Sequence, residues 1–241
     1  MKRLLCLALA LLFTCGAALA ETAEPTLATD RGRLAGRIIG IDPGHQAHAN
    51  SEKEPIAPGS SEKKAKVSSG TAGVSTRRPE YEVNLEVALQ LKAALEAEGA
   101  QVVMTRETND VDISNVERAQ MCNEAGCDLV LRIHCNGAEK KSVNGIGLYV
   151  RKTGACAEES YAASESILPA MAEATGAKAN GIYQRDTYSG LNWSEVPSIL
   201  VEMGYMSNPE EDERLCDPEY QARLVSGMTE GVCAYFESLE Q

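Results

Sequence analysis

The stretch RIIGIDPGH, residues 37–45, decides the fold of this 241-residue chain. Its apolar run from Ile38 to Ile41 ends at Asp42-Pro43-Gly44, a pattern that predicts a strand followed by a tight turn. A second apolar run, LVLRI at residues 129–133, ends in the same way at His134. Polar residues therefore follow directly on two predicted core strands.

Strand and helix patterns alternate on both sides of these runs. Further strands are predicted at residues 101–105, 145–150 and 197–201, and helices at 79–99, 114–126, 158–175, 208–215 and 217–238. This alternation predicts a single α/β domain at residues 37–238, with a twisted, largely parallel or mixed sheet and helices on both faces.

The first twenty residues differ from the rest of the chain. Lys2 and Arg3 precede an apolar run that ends at Phe13, and small residues close the segment at Ala20. This pattern predicts a secretory signal peptide at residues 1–20, a polar linker at 21–36 and a secreted, extracytoplasmic protein. A buried N-terminal helix is the alternative. We expect no stable membrane span, because no apolar run reaches about 18 residues.

Charge and cysteine content narrow the function classes. The formal net charge is −12, and an acidic chain is repelled by a phosphate backbone, so we expect no nucleic-acid partner. We expect a monomer. Within the predicted signal peptide, Cys15 is an alternative candidate for a lipid-anchor cysteine. The six cysteines beyond residue 20 predict at least one disulfide in an exported chain, but their spacing does not give the pairing.

Residues 51–78 are polar and show no periodicity. They predict a structureless loop with excess positive charge, carried in part by Lys63, Lys64 and Lys66. Long loops inside a compact domain are often functional, although a solvated surface loop is an equal alternative.

Three side chains that can bind metal or move protons follow predicted strands. These are His45, His134 and Glu202, and ligands of open α/β sheets bind outside the carboxyl ends of the strands. Two imidazoles and one carboxylate, with one position open, form a known set of catalytic zinc ligands. A second carboxylate can then take a proton from water. The residues alone leave open whether Glu80 or Glu202 binds the metal.

Four segments in this order resemble the signature segments of a known family. They are IGIDPGH at 39–45, Glu80 ahead of VNL at 83–85, RIHCN at 132–136 and VEMGYMSN at 201–208. Together with Arg106 and Arg118, they resemble the zinc-dependent N-acetylmuramoyl-L-alanine amidases over about residues 37–236.

The resemblance implies hydrolysis of the amide between N-acetylmuramic acid and L-alanine in peptidoglycan. It also implies that His45, Glu80 and His134 hold Zn²⁺ and that Glu202 is the catalytic general base. Glu82 competes with Glu80, since both lie in the first turn of the predicted helix.

The resemblance further implies that Arg185, Asn192 and Trp193 line the substrate groove, and a structural packing role is an equal alternative for Trp193. Cys135 stands where the family more often has a small apolar residue, and in an extended strand its side chain points away from that of His134. We also expect the cationic segment Lys63–Lys66 to meet carboxylates of the stem peptide.

Two other functions remain open from the sequence. One is a peptidoglycan-binding module without turnover, and the other is a zinc peptidase that cuts within the stem peptide. Release of new N-terminal L-alanine distinguishes an amidase from both.

Overall fold

The computed structural model describes residues 32–154 and 156–240. The elements in chain order are β1 Ile38–Pro43, β2 Asn50–Pro55, β3 Lys63–Val67, α1 Glu80–Ala97, β4 Gln101–Met104, α2 Asn115–Glu124, β5 Leu129–Asn136, β6 Ile146–Val150, α3 Ala157–Thr175, β7 Ala179–Gln184, α4 Ser189–Asn192, β8 Ser198–Tyr205, α5 Pro209–Leu215 and α6 Pro218–Ser238.

The predicted signal peptide, Cys15 and most of the predicted linker lie outside the described residues and stay predictions. Among the described residues, none of the helices is both long enough and apolar enough to span a bilayer.

Six strands form one mixed sheet in the order β4-β1-β5-β8-β6-β7. Neighbours among β4, β1, β5 and β8 pair in parallel, whereas β6 is antiparallel to β8 and parallel to β7. The sheet therefore has a parallel part and a reversed two-stranded edge. This confirms the predicted α/β class with a largely parallel, mixed sheet.

One face of the sheet, here called the back face, carries the main core. Alternate residues of β5, namely Leu129, Leu131, Ile133 and Cys135, are buried there among side chains of α1, α3 and α6. The period of two in a strand sends these side chains to one side and the intervening ones to the other. Burial of each large aliphatic side chain stabilises the fold by about 1.5–3 kcal/mol.

The opposite face, here called the front face, carries a smaller apolar cluster and the polar residues. Cys122 and Cys127, at the end of α2, pack against Val130 there. Helices thus cover both faces of the sheet, as predicted. Beyond Val130 the front-facing residues of β5 are Arg132 and His134, so the strand leads from core packing to polar chemistry.

The prediction of a structureless loop at residues 51–78 is wrong, because β2 and β3 pair as an antiparallel hairpin. Donors from outside the hairpin hold it. Trp193 Nε1 donates to the Pro55 carbonyl at 2.8 Å, and Asn192 Nδ2 donates to the Ile56 carbonyl at 3.0 Å. Both faces of the hairpin are largely polar, so the apolar alternation that reveals a strand is missing.

The expected disulfide is also absent among the described residues, where all six cysteines are free. Cys122 and Cys127 lie close together because the Cys127 N–H donates to the Cys122 carbonyl at 3.2 Å. Gly126, at φ 63°, supplies the left-handed residue that ends a helix in this manner. An apolar contact across the helix end normally accompanies this bond, so the two thiols pack as small hydrophobic groups.

Candidate metal centre and active site

The structure brings His45, Glu80 and His134 together at one edge of the sheet. Glu80 Oε1 lies 3.2 Å from His45 Nε2 and 3.3 Å from His134 Nδ1. One ligand atom from each residue lies within 4.8 Å of the other two. His45 follows β1, Glu80 begins α1 and His134 lies in β5, so three separate elements meet here.

His45 is held by backbone and hydrogen-bond constraints together. Its Nδ1 lies 2.9 Å from the Ser68 carbonyl, which can only accept, so Nδ1 carries the proton and Nε2 is free to bind a metal. The residue adopts φ 61°, in the left-handed region that costs a non-glycine residue free energy. Such local strain is typical of functional turns.

Gly44 makes room for the second imidazole. A Cβ at this position would overlap the ring of His134, so glycine is the residue that lets the turn and β5 approach each other. The Gly44 N–H also donates to the Ile133 carbonyl at 2.8 Å, which ties the turn to the strand that carries His134.

Glu80 is buried and fully hydrogen-bonded. Its Oε1 accepts from the Cys135 N–H at 3.0 Å and from Asn84 Nδ2 at 3.2 Å, and its Oε2 accepts from the Thr71 N–H at 2.9 Å. Burial alone would raise the pKa of Glu80, but hydrogen bonds with His134 and His45 hold that pKa well below its usual range. The carboxylate is therefore ionised near neutral pH.

The competitor Glu82 lies elsewhere. Its carboxylate faces Arg78 at 3.7 Å on the surface of α1, away from the imidazoles. The Cys135 side chain lies in the back-face core, as the strand period predicts, so its thiol points away from the cluster. The cluster thus has the two imidazoles and the carboxylate of Glu80 as its members.

Beneath the turn lies a buried ion network that the sequence analysis did not predict. Asp42, with an exposed fraction of 0%, pairs with Arg118 Nη1 at 2.9 Å and with Arg132 Nη2 at 2.8 Å. Burial alone would raise the pKa of Asp42, but the charges of Arg132 and Arg118 hold it well below its usual range. The sequence signals were the order of apolar run, aspartate and turn, and the fit of Arg118 to the family resemblance, but neither gave the pairing.

Arg106 connects the turn to the helix that carries Glu80. Its guanidinium donates to the carbonyls of Pro43 at 2.8 Å, Gly44 at 3.0 Å and Tyr81 at 2.9 Å. Because Pro43 and Gly44 precede His45 and Tyr81 follows Glu80, one side chain fixes the backbone beside two members of the cluster.

Glu202 faces the cluster from the neighbouring strand. It pairs in register with His134, so both side chains point to the front face. The residue is 9% exposed, and its Oε2 is buried with no hydrogen-bond partner among the described residues. Burial, with a smaller effect from the charge of Glu80, raises the pKa of Glu202 well above its usual range.

A cavity of about 430 Å³ joins these groups. Its walls include the three cluster residues, Glu202, Lys64 of the hairpin and Tyr188, which directly precedes α4. Lys64 comes from β3 and its Nζ donates to the Thr187 carbonyl at 2.6 Å. The hairpin therefore forms one wall of the cavity and brings a positive charge to it.

The three residues predicted to line a substrate groove lie outside the lining of this cavity. Arg185 is exposed, with its guanidinium carbon 5.7 Å from the centre of the Tyr183 ring. Asn192 is buried and donates to the Ile56 and Asp186 carbonyls. Trp193 holds the hairpin, so the roles of these three residues in substrate binding stay predictions.

Comparison with known proteins gives a consistent family. Residues 39–234 match the family described as N-acetylmuramoyl-L-alanine amidase. The chain is 31% identical over 157 residues to LytC of Bacillus subtilis, covering 65% of this chain and 31% of LytC. It is 29% identical over 220 residues to the amidase Rv3717 of Mycobacterium tuberculosis, covering 86% of this chain and 90% of the relative.

A solved structure shares the fold. The N-acetylmuramyl-L-alanine amidase Ami1 of Mycobacterium smegmatis superposes with a TM-score of 0.78 at 25% identity, covering 85% of this chain and 99% of Ami1. This chain thus spans nearly the whole of Ami1 but about a third of LytC.

Proposed function

This chain belongs to the N-acetylmuramoyl-L-alanine amidase family, and we propose that it is a secreted zinc enzyme that hydrolyses the amide between N-acetylmuramic acid and L-alanine in peptidoglycan. One observation carries the proposal. Across a single cavity, a cluster of two imidazoles and a carboxylate faces Glu202, whose Oε2 is buried without a hydrogen-bond partner in the described part of the chain.

The donor set suits zinc. Catalytic zinc sites use three protein ligands drawn from nitrogen, sulfur and oxygen donors and keep one position open. His45, His134 and Glu80 each offer one ligand atom, two nitrogens and one oxygen in all, and these atoms lie within 4.8 Å of one another. Magnesium and calcium prefer sites made of oxygen ligands alone, which disfavours them here.

Zinc held by these residues would polarise the scissile carbonyl and lower the pKa of a water molecule towards about 7. As the water oxygen adds to the carbonyl carbon, Glu202 accepts one of its protons. The same carboxyl group then delivers that proton to the amide nitrogen as the carbon–nitrogen bond breaks. The products are a lactyl carboxylate on the sugar and a free amine on L-alanine.

The environment of Glu202 suits both parts of this proton transfer. Its raised pKa makes the carboxylate a stronger base than an exposed glutamate. Its position opposite His134 in register places it on the same side of the sheet as the metal ligands. Arg106 and Asp42 act indirectly in the proposal. Arg106 donates to the backbone of the turn that carries His45, and Asp42 pairs with Arg118, which donates to the Pro43 and His45 carbonyls.

We place the enzyme outside the cytoplasm, where peptidoglycan is found. The basic start and short apolar run of residues 1–20 support export, and residues 21–36 would link the leader to the catalytic domain at 37–238. The substrate roles of Arg185, Asn192 and Trp193 belong to this proposal too. Asn192 and Trp193 would act by holding the hairpin that presents Lys64 to the cavity.

The test measures bound metal and released amines on purified mature chain. We expect one zinc per chain and new N-terminal L-alanine in digested cell wall. Glu202→Gln should keep its zinc and lose about 10²–10⁴-fold in rate, the usual contribution of a general base. Glu80→Gln should lose zinc, whereas the control Glu82→Gln, in the same helical turn, should keep both metal and activity.

Other outcomes contradict the proposal in distinct ways. A new amine other than that of L-alanine would indicate a stem-peptide peptidase. Binding to the wall without turnover by the native chain would indicate a binding module. Full activity of the Glu202→Gln variant would show that Glu202 is not the general base.

A further inference from the structure

The front face of the sheet continues past Glu202 as a patch of glycine and tyrosine. Gly147 of β6 pairs with Glu202, and Gly181 of β7 pairs in turn with Gly147. Two residues along, Tyr149 pairs with Tyr183. Paired residues of adjacent strands point to the same face, so this patch lies on the same face as the proposed base.

The tyrosine rings lie over the glycines. The rings of Tyr149 and Tyr183 stack with centroids 5.0 Å apart, and that of Tyr188 meets Tyr149 edge-on at 5.6 Å. A Cβ on Gly147 would lie 3.4 Å from Tyr183 Cε2 and 3.8 Å from Tyr149 Cε2. Both rings therefore cover the space that a side chain at Gly147 would fill.

A hydrogen bond fixes the outer ring. The Tyr183 hydroxyl donates to the carbonyl of Asn180, three residues earlier, at 3.1 Å. The ring is thereby folded back along its own strand towards Gly181. We call Tyr149, Tyr183 and Tyr188 together the tyrosine shelf.

The shelf is not part of the core. On the back face, Leu148 and Val150 of β6 are fully buried in the main core, which also includes side chains of α3. The three shelf tyrosines are only half-buried, whereas Tyr220 and Tyr235 of α6 have exposed fractions of 3% and 4%. Half-exposed aromatic rings that adjoin a cavity are typical of ligand sites.

The shelf is continuous with the proposed active site. Tyr188 lines the cavity, as does Leu200, the partner of Tyr149 in β8. From β8 through β6 to β7 the surface extends over two strand spacings, about 10 Å in all. Any substrate whose scissile bond lies at Glu202 therefore has one of its two sides next to the shelf.

We propose that the tyrosine shelf binds the sugar rings of the glycan strand on the muramic acid side of the scissile amide, an inference that rests on the proposed function. A pyranose ring presents an apolar face of C–H groups with hydroxyls at its rim, and a tyrosine ring offers an apolar face with a polar tip. The shelf itself carries no charged side chain. The hairpin wall instead brings Lys64 to the cavity, which suits the carboxylates of the stem peptide.

Arg185 extends the shelf at its outer end. Its guanidinium lies 5.7 Å from the centre of the Tyr183 ring and is exposed, so it can donate to hydroxyl or carbonyl groups of a bound sugar. This position gives the predicted substrate role of Arg185 a physical basis.

The test separates binding from turnover. Peptide-free oligosaccharides of alternating N-acetylglucosamine and N-acetylmuramic acid are titrated into zinc-loaded Glu202→Gln protein by calorimetry. Adding Tyr183→Ala should weaken glycan affinity about two- to tenfold, the effect of losing one aromatic contact. Tyr183→Phe should restore affinity. The matched control Tyr161→Ala removes a half-buried tyrosine from α3 and should leave affinity unchanged.

The same variants are then assayed for turnover with Glu202 intact. We expect Tyr183→Ala to raise KM for cell wall by a similar factor with little change in kcat. Unchanged glycan affinity and KM would contradict sugar binding by the tyrosine shelf and would leave the amidase proposal unaffected. Loss of affinity for free stem peptide in place of glycan would also overturn it. Glycan affinity that depends on Tyr183 in a chain without amidase turnover would refute the proposed function alone.

Discussion

The two halves of the sheet differ in how their front faces are used. In the β4-β1-β5 half, α2 packs over the front face and the ion network of Asp42 lies buried beneath the turn. In the β8-β6-β7 half, the front face carries Glu202 and then half-exposed tyrosines. The closed half holds its charged groups in buried pairs, and the open half leaves part of its aromatic surface exposed.

The difference between the two halves determines which charged residues need a buried partner. Buried charges need partners, so the closed half places each arginine beside a carboxylate or several carbonyls. The tyrosines of the open half need no such pairing because they are half-exposed, whereas Glu202 is buried and its Oε2 has no partner among the described residues. The proposed metal ligands thus belong to the more constrained half, whereas the proposed base and the proposed sugar-binding surface belong to the less constrained half.

The largest loss of stability is expected when the charge of Asp42, at the centre of the closed half, is removed. Asp42→Asn keeps the shape of the side chain but leaves Arg118 and Arg132 buried without a counter-charge. We expect the free energy of unfolding to fall by about 3–5 kcal/mol. Urea denaturation measures it. As a control, Glu86→Gln breaks the exposed pair with Arg78 and should cost under about 1 kcal/mol; equal losses would contradict the comparison.

Acid should weaken the same half in the native protein. The pKa of Asp42 is lower in the folded chain than in the unfolded chain, where it is about 3.9. Its contribution to stability is therefore complete above that value and is lost as the pH falls below it. Urea unfolding between pH 5 and pH 3 should show a smaller loss for Asp42→Asn than for the native chain. If the native chain and Asp42→Asn lose the same unfolding free energy between pH 5 and pH 3, Asp42 does not contribute to the acid sensitivity.

Gly44→Ala tests the contact between the turn and the second imidazole. Because a Cβ here would overlap His134, we expect the ring to shift and zinc affinity to fall about 10- to 100-fold, as when a supporting contact of a metal ligand is lost. Competition with a chelator measures the change. Gly137→Ala is the control, since its Cβ would meet Thr71 Oγ1 at an ordinary 3.5 Å. Equal affinity in both variants would argue against the role of Gly44.

The smallest effect is expected at the hairpin. Trp193→Phe removes the donor to the Pro55 carbonyl and should ease local opening by about 0.5–1.5 kcal/mol. Tryptic cleavage after Lys64 should then be up to about tenfold faster. Cleavage after Lys140, in a separate exposed loop, should keep its rate. Acceleration at both sites would indicate global destabilisation instead.

The sequence predicted those parts of the fold in which local pattern and burial agree. The apolar runs of β1, β5 and β8 each end in polar residues, and the structure places those residues at one site. The predicted start of α2 at residue 114 agrees with a capping box, in which Ser114 Oγ accepts from the Glu117 N–H at 3.1 Å and the Ser114 N–H donates to Glu117 Oε2 at 2.7 Å. These signals lie within a few residues of each other.

The missed parts depend on partners that are distant in the chain. The hairpin has a polar pattern and is held by Trp193, so its own residues could not reveal it. The short strand β7 contains Asn180 and Gly181, both weak strand formers. Arg106 contacts the turn from about sixty residues away, a distance at which a single sequence gives no pairing signal.

Side chains alternate between the two faces of β8 with a period of two, and this alternation limits which insertions the gene can tolerate. Glu202 faces the cavity, whereas its neighbours Val201 and Met203 face the core. Insertion of one codon just before Glu202 would shift its carboxylate to the core-facing position of Met203 and leave the inserted residue at the position of the proposed base. Insertions in the turn at residues 56–62 move no strand of the main sheet. Length variation among descendants should therefore accumulate in that turn, and selection should keep the length of β8 fixed.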